Sequence, residues 1–251
     1  MSFVVVIPIY NEKEHIKPLI KEILAVENVS KIIVIDDNSS DGTGGVLDEL
    51  KEEVWQLKVI HRPQKLGLGT AYIEGFRLAL KEDCNFILQM DGDFSHDPKY
   101  IPQMLEAIKT CDLVIGSRYI SQGGIKNWSL WRRLLSKVAS IYVRIITKMP
   151  LNDPTSGFKC FRRKVLEKIT LDKIHSQGYA FQIEMNYLVW GNNFRIKEIP
   201  IVFYERKRGK SKLNLRIILE AMWRVWELRF GNEMIRRITN RTMIFGLFVV
   251  I

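Results

Sequence analysis

The chain has 251 residues, of which 47% are hydrophobic and 26% charged, and a formal net charge of +10. This length and balance suit one sizeable globular core and exclude fibrous, low-complexity and repeat classes. Three widely spaced cysteines, Cys84, Cys111 and Cys160, form neither a disulfide framework nor a zinc-binding pattern, and point to a reducing compartment.

The opening MSFVVVIPIYNE has no basic n-region, so it predicts a first strand over Phe3–Ile9 rather than a signal peptide. Apolar residues at Ile16, Leu19, Ile20, Ile23 and Leu24 give a helix over Glu12–Val26. A strand at Ile32–Ile35 ends in Asp36-Asp37. The turn Asn38–Gly42 leads into a helix running to about Glu53, and a strand at Leu57–His61 follows. Gly67–Lys81 reads as a helix behind a glycine-bearing turn, and Asn85–Met90 as the fourth strand. Asp97 and Pro98 suit the N-cap and first position of a helix reaching Lys109, and Leu113–Gly116 is a fifth strand. Beyond residue 125 the alternation breaks. Helices are expected over Trp128–Thr147, Tyr179–Trp190 and Asn214–Phe230, a turn over Asp153–Phe158, and an extended stretch over Arg195–Glu205.

Alternating strands and helices imply an α/β fold with a mostly parallel sheet covered by helices on both faces. Ligands of such sheets bind outside the carboxyl ends of the strands. Polar groups gather at those ends: Tyr10 to Glu12, Asp36-Asp37, Asp91-Gly92-Asp93, and Ser117-Arg118. In an extended chain, residues i and i+2 share a side, so Asp91 and Asp93 would meet at a strand end. Two like charges there would repel, and a divalent cation resolves the conflict. Carboxylate oxygens suit Mg²⁺ or Mn²⁺ bridging to phosphates. Gly92 between them would let a ligand approach the backbone. An acidic pair of this kind is common in loops, and the companion strand ends are what raise it above a solvated turn. No P-loop sequence is present, and Gly67-Leu68-Gly69 lacks the last glycine of a dinucleotide fingerprint.

VVIPIYNE, VIDDNSSDGT, the run Lys65–Ala71, QMDGDFSHDP and GSRY resemble family 2 glycosyltransferases of the GT-A fold. DPTSGFKCFRR, GYAFQIEM and ERKRGKSKL are similar to the polyprenol- or dolichol-phosphate mannose synthase group, in order from about residue 3 to 230. The resemblance implies inverting transfer of mannose from GDP-mannose to a membrane polyprenyl phosphate. It implies a catalytic domain over 1–230, with 231–251 as a basic linker and the start of a membrane anchor or transmembrane helix. Pro8, Tyr10, Glu12, Ile35, Asp37 and Gly92 would hold the donor, with Arg206 and Lys212 covering its diphosphate from a loop. Asp91 and Asp93 would bind Mg²⁺ or Mn²⁺, with Ser95 where some relatives place a glutamine ligand and others a serine. Arg118, Arg132 and Ser136 would receive the acceptor phosphate, and Asp91, Asp93 and Arg118 would carry catalysis.

The Glu-Asp base pair and Gln-x-x-Arg-Trp of many family 2 enzymes are absent at the expected place, as suits an acceptor that is already an anion. His96 reads as a loop hydrogen-bonding residue; Gln182 and Glu184 read as core polar groups or site residues. The amphipathic pattern over Leu213–Phe230 and the apolar Met243–Ile251 behind Arg236, Arg237 and Arg241 suggest the cytoplasmic face of a membrane. Neighbouring alternatives are a polyprenyl-phosphate glucosyltransferase using UDP-glucose, or another family 2 enzyme of glycolipid or polysaccharide synthesis. The charge also admits a nucleic-acid binder, but no nucleic-acid motif accompanies it, so none is expected as a partner.

Overall fold

The computed structural model describes residues 2–174, 176–204 and 222–231. Nine strands and seven α-helices are defined among them. They are β1 Phe3–Ile9, α1 Lys13–Leu24, β2 Val29–Asp36, α2 Thr43–Glu53, β3 Leu57–His61, α3 Leu68–Ala79, β4 Phe86–Gln89 and α4 Ile101–Ala107, then β5 Leu113–Ser117, β6 Gly124–Lys126, α5 Leu130–Thr147, β7 Lys159–Arg162, α6 Arg163–Lys168, α7 Gly178–Gly191, β8 Ile196–Pro200 and β9 Val202–Tyr204. Residues 222–231 are also helical. Single 3₁₀ turns flank α4, and Asp97 caps the first by accepting from the Lys99 N–H at 3.0 Å.

The main sheet has the order β3-β2-β1-β4-β7-β5-β8. Strand β1 lies inside the sheet, between β2 and β4, and is apolar at every position because both faces are covered. Phe3, Val5, Ile7 and Ile9 pack beneath α1, α2 and α4, where Ile16, Leu19, Ile20 and Ile23 supply the buried stripe of α1. Val4 and Val6 pack on the other side against α3, α6 and α7. This is the two-sided sheet expected from the alternation.

All strands of that sheet run parallel except β7, which pairs antiparallel with both β4 and β5, Lys159 standing between Gln89 and Ile115. Its reversal has a functional consequence. The start of β7 lies at the carboxyl edge of its parallel neighbours, so the preceding turn, Asp153 to Phe158, is delivered to the ligand edge. Strands β6 and β9 form a separate parallel pair.

Helix α5 is capped by the Ser129 hydroxyl, which accepts from the Arg132 N–H at 3.3 Å. Only Ser140, Val143 and Thr147 of α5 are buried. Five of its other apolar residues, Trp131, Leu134, Val138, Ile141 and Ile145, recur at three- and four-residue steps and are 48–72% exposed. Helix 222–231 touches α5 through the Tyr142 hydroxyl, which donates to the Met222 carbonyl at 3.2 Å, and it exposes Trp223 and Trp226. No helix among the described residues is long and apolar enough to cross a membrane. The expectations placed on Met243–Ile251, and on the first half of Leu213–Phe230, lie outside the described residues.

Candidate active site

A cavity of about 430 Å³ opens at the carboxyl edge of the sheet, where the strand-end polar groups converge. Pro8, Tyr10 and Glu12 line it from the end of β1, and Asp37 from the end of β2. The two loops are laced together. The Asn11 N–H donates to the Ser39 hydroxyl at 2.9 Å, the Ser40 N–H donates to Asn11 Oδ1 at 2.9 Å, and the Glu12 N–H donates to Thr43 Oγ1 at 3.0 Å.

Asp37 is buried, and its carboxylate accepts from the Leu66 and Gly67 N–H groups at 2.8 Å each. Arg62 stands 3.2 Å from it. Asp37 therefore shapes the loop entering α3 as well as forming the cavity wall. Gly67 takes a φ of +98°, and a Cβ there would fall 2.7 Å from Gln177 Oε1; the pair of glycines is a tight turn packed on the 176–178 segment. Lys65 from the same loop lies over the Tyr10 ring, 3.5 Å from its centroid. Ile35, expected among the donor-binding residues, is instead wholly buried in the core facing α3 and is not part of the cavity wall.

The acidic pair departs from its expected geometry but not from its place. Strand β4 ends at Gln89, so Asp91 and Asp93 occupy a bend rather than an extended strand. Phe94, with φ of +59°, turns the chain, and Asp93 Oδ1 accepts from the Ser95 N–H at 3.0 Å. Asp91, Asp93 and Ser95 all line the cavity. The Ser95 hydroxyl is buried with no hydrogen-bond partner among the described residues, an arrangement that suits an incoming cation. Two carboxylates and a hydroxyl are a hard oxygen set, compatible with Mg²⁺ or Mn²⁺ completed by waters and phosphate. No cluster of three His, Cys, Asp or Glu side chains accompanies them among the described residues. Gly92 also lines the cavity, and it has a packing reason besides: a Cβ there would meet Ile9 Cγ2 at 2.6 Å, so the motif packs flat on β1.

Two neighbours hold Asp91. The buried Tyr72 hydroxyl donates to Asp91 Oδ1 at 2.7 Å. Burial, and then the Asp91 charge, push the Tyr72 phenol well above its usual pKa, so it remains a donor. The Asp91 N–H donates to His96 Nδ1 at 3.0 Å, and His96 stacks on Phe158. His96 thus acts as the loop hydrogen-bonding residue expected of it. Tyr72 carries no motif signal; only its helical register, facing the strand ends from α3, could have marked it.

The two arginines of the expected acceptor site both line the cavity, near the Trp128 ring, with their guanidinium carbons 5.8 Å (Arg118) and 4.0 Å (Arg132) from its centroid. Arg118 is buried and forked onto Asp153, with Nε–Oδ2 2.7 Å and Nη2–Oδ1 2.6 Å; Nη2 also donates to Thr155 Oγ1 at 2.8 Å. Burial opposes its charge, but Asp153 outweighs burial and raises its pKa above the usual arginine value. Asp153 is the counterion of the site's buried arginine rather than a turn residue alone. Ser136 lies outside the cavity wall, its Oγ accepting from the Tyr119 hydroxyl at 2.6 Å. Ser156 donates to the Gly116 carbonyl at 2.6 Å and fixes the turn. Arg206 and Lys212 lie outside the described residues.

Behind the acidic pair sits Lys159, fully buried, its Nζ donating to Gln182 Oε1 at 2.8 Å and to the Gln182 carbonyl at 3.1 Å. Burial lowers its pKa from 10.5 to about 7, against the opposing pull of Asp153 and Asp91. The unfolded chain therefore holds more protons than the fold between those values, and stability from this group rises as pH climbs from about 7 toward 10.5. Urea midpoints measured from pH 6.5 to 9 should show that rise in the wild type. The rise should flatten in Lys159→Met, whatever the constant offset between the two proteins; parallel profiles would contradict the assignment.

The family model described as glycosyl transferase family 2 matches residues 4–170. A polyprenol monophosphomannose synthase of Mycolicibacterium smegmatis is 41% identical over 230 residues, covering 90% of this chain and 86% of the relative. A dolichol-phosphate mannosyltransferase of Pyrococcus furiosus is 36% identical, covering 97% of this chain and 68% of the relative. Among solved structures, a glucosyl-3-phosphoglycerate synthase from Mycobacterium tuberculosis superposes with a TM-score of 0.66 at 17% identity, over 91% of this chain and 80% of its own. That likeness supports the GT-A architecture of the sheet. The chain belongs to glycosyltransferase family 2.

Proposed function

We propose that this chain transfers mannose from GDP-mannose to the phosphate of a membrane polyprenol, with inversion at the sugar carbon. The relatives named as mannose synthases support the sugar and the acceptor class. The observation that carries the reading is the placement of α5. One helix contributes Arg132 to the cavity and presents a row of exposed apolar side chains to solvent. A lipid surface against that row would bring its phosphate headgroups within reach of the arginines.

Asp91, Asp93 and the Ser95 hydroxyl would hold Mg²⁺ or Mn²⁺. When bound, the cation supplies positive charge to the donor diphosphate as the sugar departs. Pro8, Tyr10, Glu12 and Asp37 wall the donor side. Arg118, locked by Asp153 and Thr155, offers charge in a fixed position, and Arg132 adds a second guanidinium from α5. The acceptor phosphate oxygen attacks the anomeric carbon, a new C–O bond forms, and GDP leaves with the electrons of the broken bond. The nucleophile is already an anion at neutral pH, so positioning replaces proton removal. The basic segment containing Arg206 and Lys212 fits a cover for the diphosphate.

The test is transfer of labelled sugar from GDP-mannose into organic-extractable lipid, with polyprenyl phosphate, Mg²⁺ or Mn²⁺, and an EDTA control. Metal-dependent label from GDP-mannose is expected. Label only from UDP-glucose would keep the chemistry and change the donor; label from neither would overturn the proposal.

The role of α5 gives a separate expectation. Replacing Trp131, Leu134 and Ile145 together by serine should reduce sedimentation with acidic phospholipid vesicles by at least about tenfold, since each large apolar side chain contributes about 1.5–3 kcal/mol when fully buried. These side chains are exposed, so the melting temperature should hold, and transfer to a short, soluble polyprenyl phosphate should survive. Unchanged vesicle binding would remove α5 from the membrane surface.

A further inference from the structure

We propose that Gln182 is a fixed amide donor that reads a hydroxyl of the hexosyl group beside Asp91; this rests on the sugar-transfer reading above. Gln182 stands in the second turn of α7 and reaches the cavity while only 3% exposed. Its Oε1 accepts from Gln89 Nε2 at 2.7 Å and from Lys159 Nζ at 2.8 Å. A carbonyl oxygen has two lone pairs, so both are used. The amide is held against turning over by its two donors together: a reversed amide would meet Gln89 Nε2 and the Lys159 ammonium with N–H groups. Lys159 is itself held by the Gln182 backbone carbonyl, so the side chain is clamped from both ends.

With Oε1 fixed inward, Nε2 must face the cavity. A Cβ built on Gly157 would lie 3.4 Å from Gln182 Nε2, 3.4 Å from Asp91 Oδ2 and 3.2 Å from His96 Cε1. Amide donor and carboxylate acceptor thus border the same spot, which the missing side chain of Gly157 leaves open. A hydroxyl satisfies both at once, accepting from Nε2 and donating to Asp91. A phosphate oxygen can only accept, and it would be repelled by the carboxylate. The chemistry therefore favours a sugar hydroxyl over the diphosphate. The other buried polar residues of this helix are engaged elsewhere: Asn186 donates to the Pro154 carbonyl at 2.8 Å, and Glu184 is drawn toward Arg224, whose Nη2 is 3.6 Å away, so the group α7 turns to the cavity is an amide rather than a base.

The test uses the full chain, with Gln182→Glu beside Gln182→Ala. The Glu variant keeps an acceptor for Lys159 and Gln89 but removes the N–H donor beside Asp91. Transfer is measured with GDP-mannose and its 2-, 3-, 4- and 6-deoxy analogues, together with the GDP dissociation constant and the melting temperature. Gln182→Glu should keep its melting temperature and GDP affinity while kcat/KM with GDP-mannose falls roughly 10- to 100-fold, as for a lost buried hydrogen bond. One deoxy donor should be as poor for the wild type as GDP-mannose is for the variant, and removing both partners should cost no more than removing one. Full additivity with every analogue, or a parallel loss of GDP affinity, would overturn the proposal while leaving mannosyl transfer intact. A wild type that transfers from neither GDP-mannose nor UDP-glucose would overturn the functional reading, and this inference with it. Transfer from UDP-glucose alone moves the same cycle to deoxyglucose donors.

Discussion

Asp93→Asn should lower sugar transfer by about 10²–10³-fold, the range seen when a preorganised electrostatic stabiliser is removed, and abolish the metal dependence of GDP binding. The substitution is nearly isosteric. Asparagine Oδ1 can still accept from the Ser95 N–H, the bond that closes the turn in the native chain at 3.0 Å. The bend around Phe94 should persist, and the melting temperature should move little. What disappears is a formal charge in a buried position, where its attraction for a divalent cation is least screened. Asp91→Asn should behave similarly, since the Tyr72 hydroxyl can donate to an amide oxygen as readily as to the carboxylate it now meets at 2.7 Å. GDP titrations with and without Mn²⁺ separate the effects. Wild type should bind more tightly with metal, and the variants should bind equally with and without it. Metal-enhanced GDP binding that survives in both variants would remove the acidic pair from the cation site.

The parts of this molecule legible in the sequence are those written in contiguous residues. The apolar run of β1 and the stripe Ile16, Leu19, Ile20, Ile23 of α1 announce a two-sided parallel sheet, and the strand-end acids mark its ligand edge. Strand β7 was not legible. It is four residues long, begins with a buried lysine, and takes its direction from pairing with β4 and β5 rather than from any local pattern. The same limit separates the site's motif residues from their supports. Asp91 can be read from its motif, but Tyr72 lies 19 positions away, and Gln89 meets Gln182 across 93. Such pairs exist only once α3, β7 and α7 have docked. Positions carried by resemblance divided along similar lines: Pro8, Tyr10, Glu12, Asp37 and the two arginines line the cavity, whereas Ile35 and Ser136 are used inside the fold.

Asp153→Asn should destabilise the fold by about 3–5 kcal/mol, the usual cost of stripping one partner from a buried ion pair. At about 2–4 °C per kcal/mol for a chain of this size, the melting temperature should fall by roughly 10 °C. The native carboxylate receives the Arg118 backbone N–H at 3.0 Å as well as both arms of its guanidinium fork. An amide can accept at one atom only, and its NH₂ group would face a cation. Arg118→Lys should be gentler on stability, because a point charge remains near Asp153, yet it cannot reproduce the fork and should lose most transfer activity. Stability and catalysis separate in the double variant Arg118→Met with Asp153→Leu. Removing both charges should recover much of the melting temperature lost in Asp153→Asn, since neither group is left buried alone. Transfer should stay as low as in Arg118→Lys, because the fixed positive charge at the cavity wall is gone. Full activity in the double variant would reduce the pair to a structural clamp and leave Arg132 as the cation of the phosphate site. Inactivity with restored stability would mean that burying Arg118 against Asp153 serves to hold a charge where the acceptor phosphate arrives.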